Sequence, residues 1–301
     1  MPELPDVVVY IESLERKLPG RVLRRLRLAS PFLLRSVEVA PSELERRRVI
    51  GFRRMGKRIV FAFEGELYCV LHLMIAGRLR WRDAGVELPK RRGLAAFDFE
   101  HGSLLLTEEG TKKRASMFLV RGEPGLEPHD RGGLEVLEAS REEFAERLAR
   151  ENRTLKRALC DPRLFSGIGN AYSDEILHHA RLSPLKLTGA LEPEELQRLF
   201  AATRACLSDW VERLRREVGE GFPEKVTAFR EGMAVHGRYR QPCPDCGSPV
   251  QRIVYAHNEA NYCALCQTGG KLLADRALSR LLKKDWPKNL AEWQEFRGGE
   301  A

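Results

Sequence analysis

Ile59-Val60-Phe61-Ala62-Phe63-Glu64-Gly65-Glu66-Leu67-Tyr68-Cys69-Val70-Leu71-His72-Leu73 reads as a β-hairpin. Ile59, Phe61 and Phe63 alternate up to Glu64-Gly65, and Leu67, Cys69, Leu71 and Leu73 alternate beyond it. A period of two puts such side chains on one face, and a short Gly-bearing break between two runs is a turn signal. Phe97 and Phe99 before His101-Gly102, then Leu104 and Leu106, repeat the pattern. Several short strands ahead of any long helix predict a β-sandwich or barrel. His72, inside the apolar alternation, reads as a satisfied core histidine. Arg53, Arg54 and Lys57, around Gly56, read by default as a solvated basic face.

Upstream of the strands, Pro5 and Asp6 begin a predicted helix. Val8, Ile11, Leu14 and Leu18 follow at helical spacing, and Pro19-Gly20 ends it. In front of it stands Met1-Pro2-Glu3-Leu4-Pro5. Removal of Met1 would leave Pro2 with a secondary amine. An α-amino group has an ordinary pKa of about 7.7–8.0, against about 10.4 for lysine, so far more of it is unprotonated at neutral pH. Such an amine condenses with an aldehyde-like carbon to an iminium, an electron sink like that of Schiff-base lysines. Glu3 places a proton-shuttling carboxyl beside it. Taken alone, Met-Pro is a common start and Pro5 a good first-turn residue, so the tetrapeptide by itself reads first as a helix entry, and the rest of the chain is what raises the chemical reading.

Downstream, Gly122, Pro124, Gly125, Pro128, Gly132 and Gly133 mark an interdomain linker. The period then changes to 3.6. Ser140 with Glu143 makes a capping box before Phe144 and Leu148, and further helices are predicted over 155–159, 170–180 and from Pro193. Gly167-Ile168-Gly169-Asn170 opens the second of these, with Asn170 in the N-cap position. Two glycines let backbones approach closely, and amides at a helix start attract phosphate. Residues 219–232 are a Gly-rich charged loop.

Cys243-x2-Cys246 and Cys263-x2-Cys266 are the strongest bottom-up signal. Four thiolates in two knuckles, with a hairpin of chain between, suit one tetrahedral Zn2+. Four protein ligands fill the sphere, so the ion is structural, holding a hairpin over 250–262. Arg238, Arg240, Arg252 and Lys271 surround it and suit a phosphate backbone. The remaining three of the seven cysteines, Cys69, Cys160 and Cys206, read as buried thiols. The pattern is that of a reducing compartment, and the expected location is the cytoplasm, at the nucleoid if the chain is bacterial. The 301 residues carry a net charge of +8, from 51 Lys+Arg against 43 Asp+Glu, which suits a polyanionic partner. No apolar run is long enough for a secretory signal or a membrane span, so no membrane partner is expected.

Together these motifs resemble the formamidopyrimidine-DNA glycosylase/endonuclease VIII family. Pro2-Glu3-Leu4-Pro5 is similar to its N-terminal signature, and Lys57 to its strand lysine. His72-Leu73 and Gly77-Arg78-Leu79 are similar to its loop motif. Asp161 to Glu175 is similar to its helix–two-turns–helix element. Val235-His236-Gly237-Arg238, Pro242-Cys243 and Cys263 to Cys266 are similar to its zinc finger. The resemblance covers residues 2 to about 268 and implies an α+β multi-domain chain: an N-terminal β-sandwich with a leading helix (1–125), a linker (126–134), a helix–two-turns–helix domain (135–232), a zinc finger (233–269) and a helical tail (270–301). It implies a DNA repair glycosylase with abasic-site lyase activity. By that analogy the Pro2 amine attacks C1′ of a flipped nucleotide, Glu3 manages protons, and the iminium drives β- and δ-elimination. Lys57 and Asn170 would hold flanking phosphates. Gly169, Arg78, Arg114, Arg163, Arg252 and Asn258 complete the expected DNA-facing set. The partner is damaged DNA, met by a monomer.

The chain departs from the family pattern at several places: Asp6 is shorter than the usual Glu, the 219–232 loop is unlike the 8-oxoguanine-reading version, and three further changes follow. The family finger carries Arg five residues before the third Cys, and here that residue is Asn258. Hydrogen bonds to charged partners are worth about 1.5–3 kcal/mol, so a weaker grip on phosphate follows unless Arg252 or another cation substitutes. The usual Asp-Pro-Arg-Arg-Phe-Gly segment is replaced by Thr107-Glu108-Glu109-Gly110-Thr111-Lys112-Lys113-Arg114-Ala115, and Ile75 stands where Met is common. The tail carries a leucine stripe (Leu272, Leu273, Leu278, Leu281, Leu282) with cations around it. It is expected to pack on the protein itself or, failing that, to meet a protein partner or DNA. The competing functional class is a non-catalytic binder of damaged or single-stranded DNA. An RNA-binding zinc ribbon would account for charge and cysteines but not for Pro2.

Overall fold

The computed structural model describes residues 1–110, 112–255, 258–274 and 287–292, the side chains of residues 255 and 258 excepted. They fall into two compact units, 1–133 with 209–228, and 134–208 with 229–301.

The first unit is the expected sandwich. Its elements are α1 (Leu4–Glu15), β1 (Arg25–Leu28), α2 (Pro41–Leu44), β2 (Val49–Met55), β3 (Arg58–Phe63), β4 (Leu67–His72), β5 (Gly77–Arg82), β6 (Gly93–Phe99), β7 (Gly102–Glu108) and β8 (Ser116–Arg121). They form two antiparallel sheets, β1-β6-β7-β5 and β2-β3-β4-β8. The alternation at 59–63 and 67–71 faces inward: Ile59, Phe61, Cys69 and Leu71 are buried in one core with Phe97, Leu104 and Leu106. Phe61 of one sheet stacks on Phe97 of the other at 5.3 Å. Val7, Tyr10 and Leu14 of α1 join the same core. The helix starts one residue earlier than expected and ends at Glu15, though Leu18 still packs inward.

The opposite face of the β2-β3-β4-β8 sheet has its own small core of Val60, Val70 and Val120, closed by Leu126. Leu126 belongs to the stretch expected as linker. That stretch instead makes two 3-10 turns, Glu123–Gly125 and Glu127–His129, which lie against the sheet because Leu126 needs cover. His72 is corrected too. It is half-buried at the end of β4, paired with Arg58, and points to this outer face with Val70.

The second unit contains α3 (Arg141–Ala149), α4 (Leu155–Cys160), α5 (Asn170–His179), the start of α6 (Pro193–Val218), β9 (Gln251–Tyr255), β10 (Asn258–Tyr262) and α7 (Ala264–Thr268). Ser140 caps α3 as read: its hydroxyl accepts from the Glu143 amide at 3.2 Å, and Glu143 accepts from the Ser140 amide at 2.7 Å. Phe144, Phe165 and Phe200 form an aromatic cluster with centroids 4.8 and 5.5 Å from Phe144. The expected 135–232 domain is divided. Residues 209–228 belong to the first unit, where Phe222 and Val226 pack on its core and Glu224 pairs with Arg82 at 2.7 Å. Cys69 and Cys206 are buried, but Cys160 is only half-buried, its thiol donating to the Gly169 carbonyl.

The tail is partly described. Leu272 and Leu290 pack on Ile253 and Tyr262, and residues 271 and 289 form a β-bridge, so this portion lies against the hairpin's own apolar side. The leucines at 278, 281 and 282 lie outside the described residues. Among the described residues no helix is long and apolar enough to cross a membrane.

Candidate catalytic site and cysteine centre

Pro2 is buried, and Glu3 and Asp6 are 2% and 3% exposed. Asp6 lies in the first turn of α1 and accepts the Glu3 amide at 2.9 Å, satisfying one orphan donor of the helix start. Carboxylates also suit the positive end of a helix. The Met1 amine beside them is pushed below its ordinary value of 8.0, first by burial. Glu3 and Asp6 act against that shift, while Arg78 and Lys57 add to it. Pro2, Glu3, Lys57 and Arg78 are thus brought together electrostatically around the chain start.

Two residues missed by the sequence reading hold this site. The Tyr10 hydroxyl bridges the backbone of Leu79, accepting its N–H at 3.3 Å and donating to its carbonyl at 3.4 Å, which ties α1 to β5. Burial raises the phenol's pKa, so it stays neutral. Glu108 is 1% exposed and accepts the amides of Arg114 (2.9 Å) and Ala115 (3.2 Å). It folds the segment after β7 back on itself and leaves Lys112 and Arg114 exposed. The signal was there: Glu108 continues the inward register of Leu104 and Leu106, where an acid must find donors.

The 73–77 loop is tightly determined. Gly77 donates its amide to the Leu73 carbonyl at 2.9 Å, and a Cβ at residue 77 would meet that oxygen at 2.2 Å. Met74 takes a positive φ of 52°, and Ile75 is 55% exposed. Arg78, expected to face DNA, donates to the carbonyls of Ile75 (3.2 Å) and Gly77 (2.6 Å), so its guanidinium splints the loop.

In the second unit, Gly169 rather than Asn170 is the N-cap of α5. The side-chain amide of Asn170 donates to the Glu259 carbonyl at 3.0 Å, joining the helix start to β10. Below it lies a buried charge cluster. The Lys156 ammonium donates to Asp174 and to the Asn170 carbonyl, each at 2.6 Å, and Asp174 also meets His236 Nδ1 at 2.8 Å. Glu175 accepts the amides of Ala234 (2.7 Å), Val235 and His236 (2.9 Å each), fixing the turn that enters the cysteine module.

The Sγ atoms of Cys243, Cys246, Cys263 and Cys266 all lie within 4.8 Å of one another. Cys246–Cys263 is 3.4 Å and Cys243–Cys266 is 4.0 Å. A tetrahedral site with metal–sulfur bonds of about 2.3 Å needs sulfurs about 3.8 Å apart, so the four could hold one metal ion. His178 Nε2 lies 3.3 Å from the Cys243 sulfur, a contact the sequence did not suggest.

The remaining expected DNA contacts are occupied within the protein. Arg163 is bound to Asp161 through Nε (3.1 Å) and Nη2 (2.8 Å), and these bonds, Arg163 foremost, hold that carboxyl well below the usual range. Arg252 lies 4.3 Å over the Tyr239 ring and 3.5 Å from Glu259. Asn258 opens β10, and its side chain lies outside the described set.

Two family models match this sequence: the formamidopyrimidine-DNA glycosylase N-terminal domain over residues 1–115, and the formamidopyrimidine-DNA glycosylase H2TH domain over 133–219. A formamidopyrimidine-DNA glycosylase of Exiguobacterium sibiricum is 31% identical over 278 residues, covering 89% of this chain and 99% of that protein. An uncharacterized formamidopyrimidine-DNA glycosylase-like protein of Mycobacterium tuberculosis is 44% identical over 151 residues, 50% of this chain and 94% of its own. The crystal structure of the MutM (Fpg) protein from Thermus thermophilus superposes with a TM-score of 0.74 at 32% identity, covering 88% of this chain and 98% of that one.

Proposed function

The chain belongs to the formamidopyrimidine-DNA glycosylase family, and on that premise we propose that it is a DNA repair glycosylase and abasic-site lyase acting through Pro2. The observation that carries the mechanism is Pro2, buried beside Glu3 at the head of α1, where the adjoining Met1 amine is drawn out of water with Glu3, Arg78, Asp6 and Lys57 around it. Burial disfavours the protonated form and so favours the nucleophile. With Met1 removed, the Pro2 nitrogen attacks C1′ of the lesion nucleotide. The C1′–base bond breaks, and the base departs with a proton. Glu3 protonates the sugar ring oxygen as the ring opens to the iminium. Loss of a C2′ proton then expels the 3′ phosphate (β-elimination), and loss of the C4′ proton, now acidified through the conjugated iminium, expels the 5′ phosphate (δ-elimination). Lys57 supplies charge to a phosphate beside the lesion, and the start of α5, with Gly169 and Asn170, offers amides to another. Arg78 serves by holding the 73–77 loop, whose exposed Ile75 suits an apolar wedge in the gap left by the flipped base. Arg114, exposed on its loop, adds to the phosphate grip.

The cysteine centre takes one structural Zn2+, because an all-thiolate tetrahedral set suits that ion. Its task is to hold β9 and β10. Damaged DNA is the partner.

Sodium borohydride trapping on abasic-site DNA tests this reading. Protein lacking Met1 should form a covalent adduct that is lost when the N-terminal amine is blocked. Intact DNA binding without any adduct would move the assignment to a non-catalytic binder of damaged DNA.

A further inference from the structure

Several arginines of the first unit are paired: Arg27 with Asp98, Arg53 with Glu123, Arg82 with Glu224 and Arg121 with Glu43. Arg58 is not, and its Nε is shut off from water. Arg58 and His72 are cross-strand partners in the terminal row of β3 and β4, next to Ser116 of β8. Partners in one row share a face, as do residues two apart. Arg58 and His72 therefore stand on the outer face with Val60, Val70 and Phe118. His129 packs on Phe118, ring to ring at 4.4 Å, and Asp130 and Arg131 follow it in the chain within electrostatic reach of Arg58. Burial first, and Arg131 second, disfavour the charge on Arg58, and burial, Arg58 and Arg131 in that order depress the His129 imidazole. Burial, then Arg58 and Lys57, push the His72 imidazole down to about 4.

Among the described residues, Lys57, Arg58, His72, His129 and Arg131 make no hydrogen bond or ion pair through their side chains. Arg58 Nε is withdrawn from water with no acceptor. Asp130, the acid within reach, already accepts the Gly132 amide at 2.8 Å. Arg58 is half-buried, and a donor such as its Nε that is shut off from water without an acceptor is costly. A fold that keeps such a group calls for an external anion.

We propose that Arg58, His129 and Arg131 form a phosphate subsite on the outer face of the β2-β3-β4-β8 sheet, taking a phosphodiester of the nucleic-acid backbone beyond the one assigned to Lys57. This rests on the glycosylase reading above and extends its DNA footprint along the turns at 123–131. Guanidinium forks suit the tetrahedral anion, and a neutral imidazole adds one N–H donor. The contact is independent of base identity, so it serves damaged and undamaged duplex alike.

The test is equilibrium binding of duplex carrying a reduced abasic-site analogue, titrated over a fourfold rise in salt, for wild type, Arg131→Ala and Arg58→Met. Each lost phosphate contact lowers the slope of log K against log salt by about 0.9, so the advantage of wild type should shrink about 3-fold across the titration. Arg58→Met should melt no lower than wild type, since its guanidinium has no partner to lose. Both variants should still form the borohydride adduct. Unchanged slopes in both variants, with the adduct retained, would overturn the subsite and leave the glycosylase reading standing. A wild type that neither binds nor traps abasic DNA would overturn both.

Discussion

Lys156→Met tests the buried cluster that anchors the start of α5 to the cysteine module. The side chains of Lys156 and Asp174 are 4% and 0% exposed, and the ammonium sits 2.6 Å from the carboxylate. Methionine keeps most of the stem's volume and removes the charge. Asp174 is then left, among the described residues, with His236 at 2.8 Å and a long 3.5 Å contact to Asn261. Breaking a buried pair by removing one partner costs about 3–5 kcal/mol, because the other charge stays buried. The Asn170 carbonyl loses its ammonium donor as well. At about 1.4 kcal/mol per tenfold, the opening constant of this region should rise by roughly 10²- to 10³-fold or more. Hydrogen exchange at the Val235 and His236 amides, both held by Glu175, reads that opening directly. Adding Asp174→Leu to Lys156→Met should restore much of the protection, since an apolar pair often replaces a buried ion pair without loss. Exchange within tenfold of wild type in the single variant, or no recovery in the double, would refute the claim that this pair holds the module.

Gly77→Ala should disrupt the 73–77 loop, because its Cβ would sit 2.2 Å from the Leu73 carbonyl oxygen. Base release should fall at least tenfold while the cysteine module is undisturbed, checked by single-turnover excision and metal content. The trapping reaction should keep an acid limb below the ordinary α-amino value of about 8, because burial depresses the chain-start amine; a limb at or above that value would contradict the role of burial. Asp161→Asn should destabilise the second unit most at neutral pH. Arg163 and Arg153 depress the folded carboxyl, so its contribution is present above the unfolded value of about 3.9 and is lost as pH falls through the folded value. Melts of the two proteins from neutral to acid pH should therefore converge, and a gap that widened in acid would reverse the sign. Chelating the metal should expose the β9–β10 hairpin to protease and weaken DNA binding, with the sandwich around Phe61 and Phe97 still melting as before.

The chain order of the fold was legible because its signals are local. Alternation at 59–73 and 97–106 is a property of consecutive residues, as are the Ser140–Glu143 cap and the two cysteine knuckles. The same holds for Pro2-Glu3 ahead of a helix. What was misread depended on contacts across the chain. Nothing around His72 says which face of the hairpin carries the main core, and the turns at 123–129 read as linker until Leu126 is seen to need Val60 and Val70. Arg252 looked like a free cation until Tyr239 and Glu259 were placed beside it.

The sequence by itself determined the element types, the two cysteine pairs and the Pro2-Glu3 pair ahead of a helix, since these follow from backbone period, ligand spacing and residue order. The tertiary structure alone decided which charges are satisfied. It set Lys156 on Asp174, Glu108 on the 114–115 amides and Glu175 on three more, and among the described residues it left Arg58 Nε without an acceptor. Desolvation and hydrogen-bond partnership are set by residues distant in sequence, and a buried charge has no meaning until the fold closes around it.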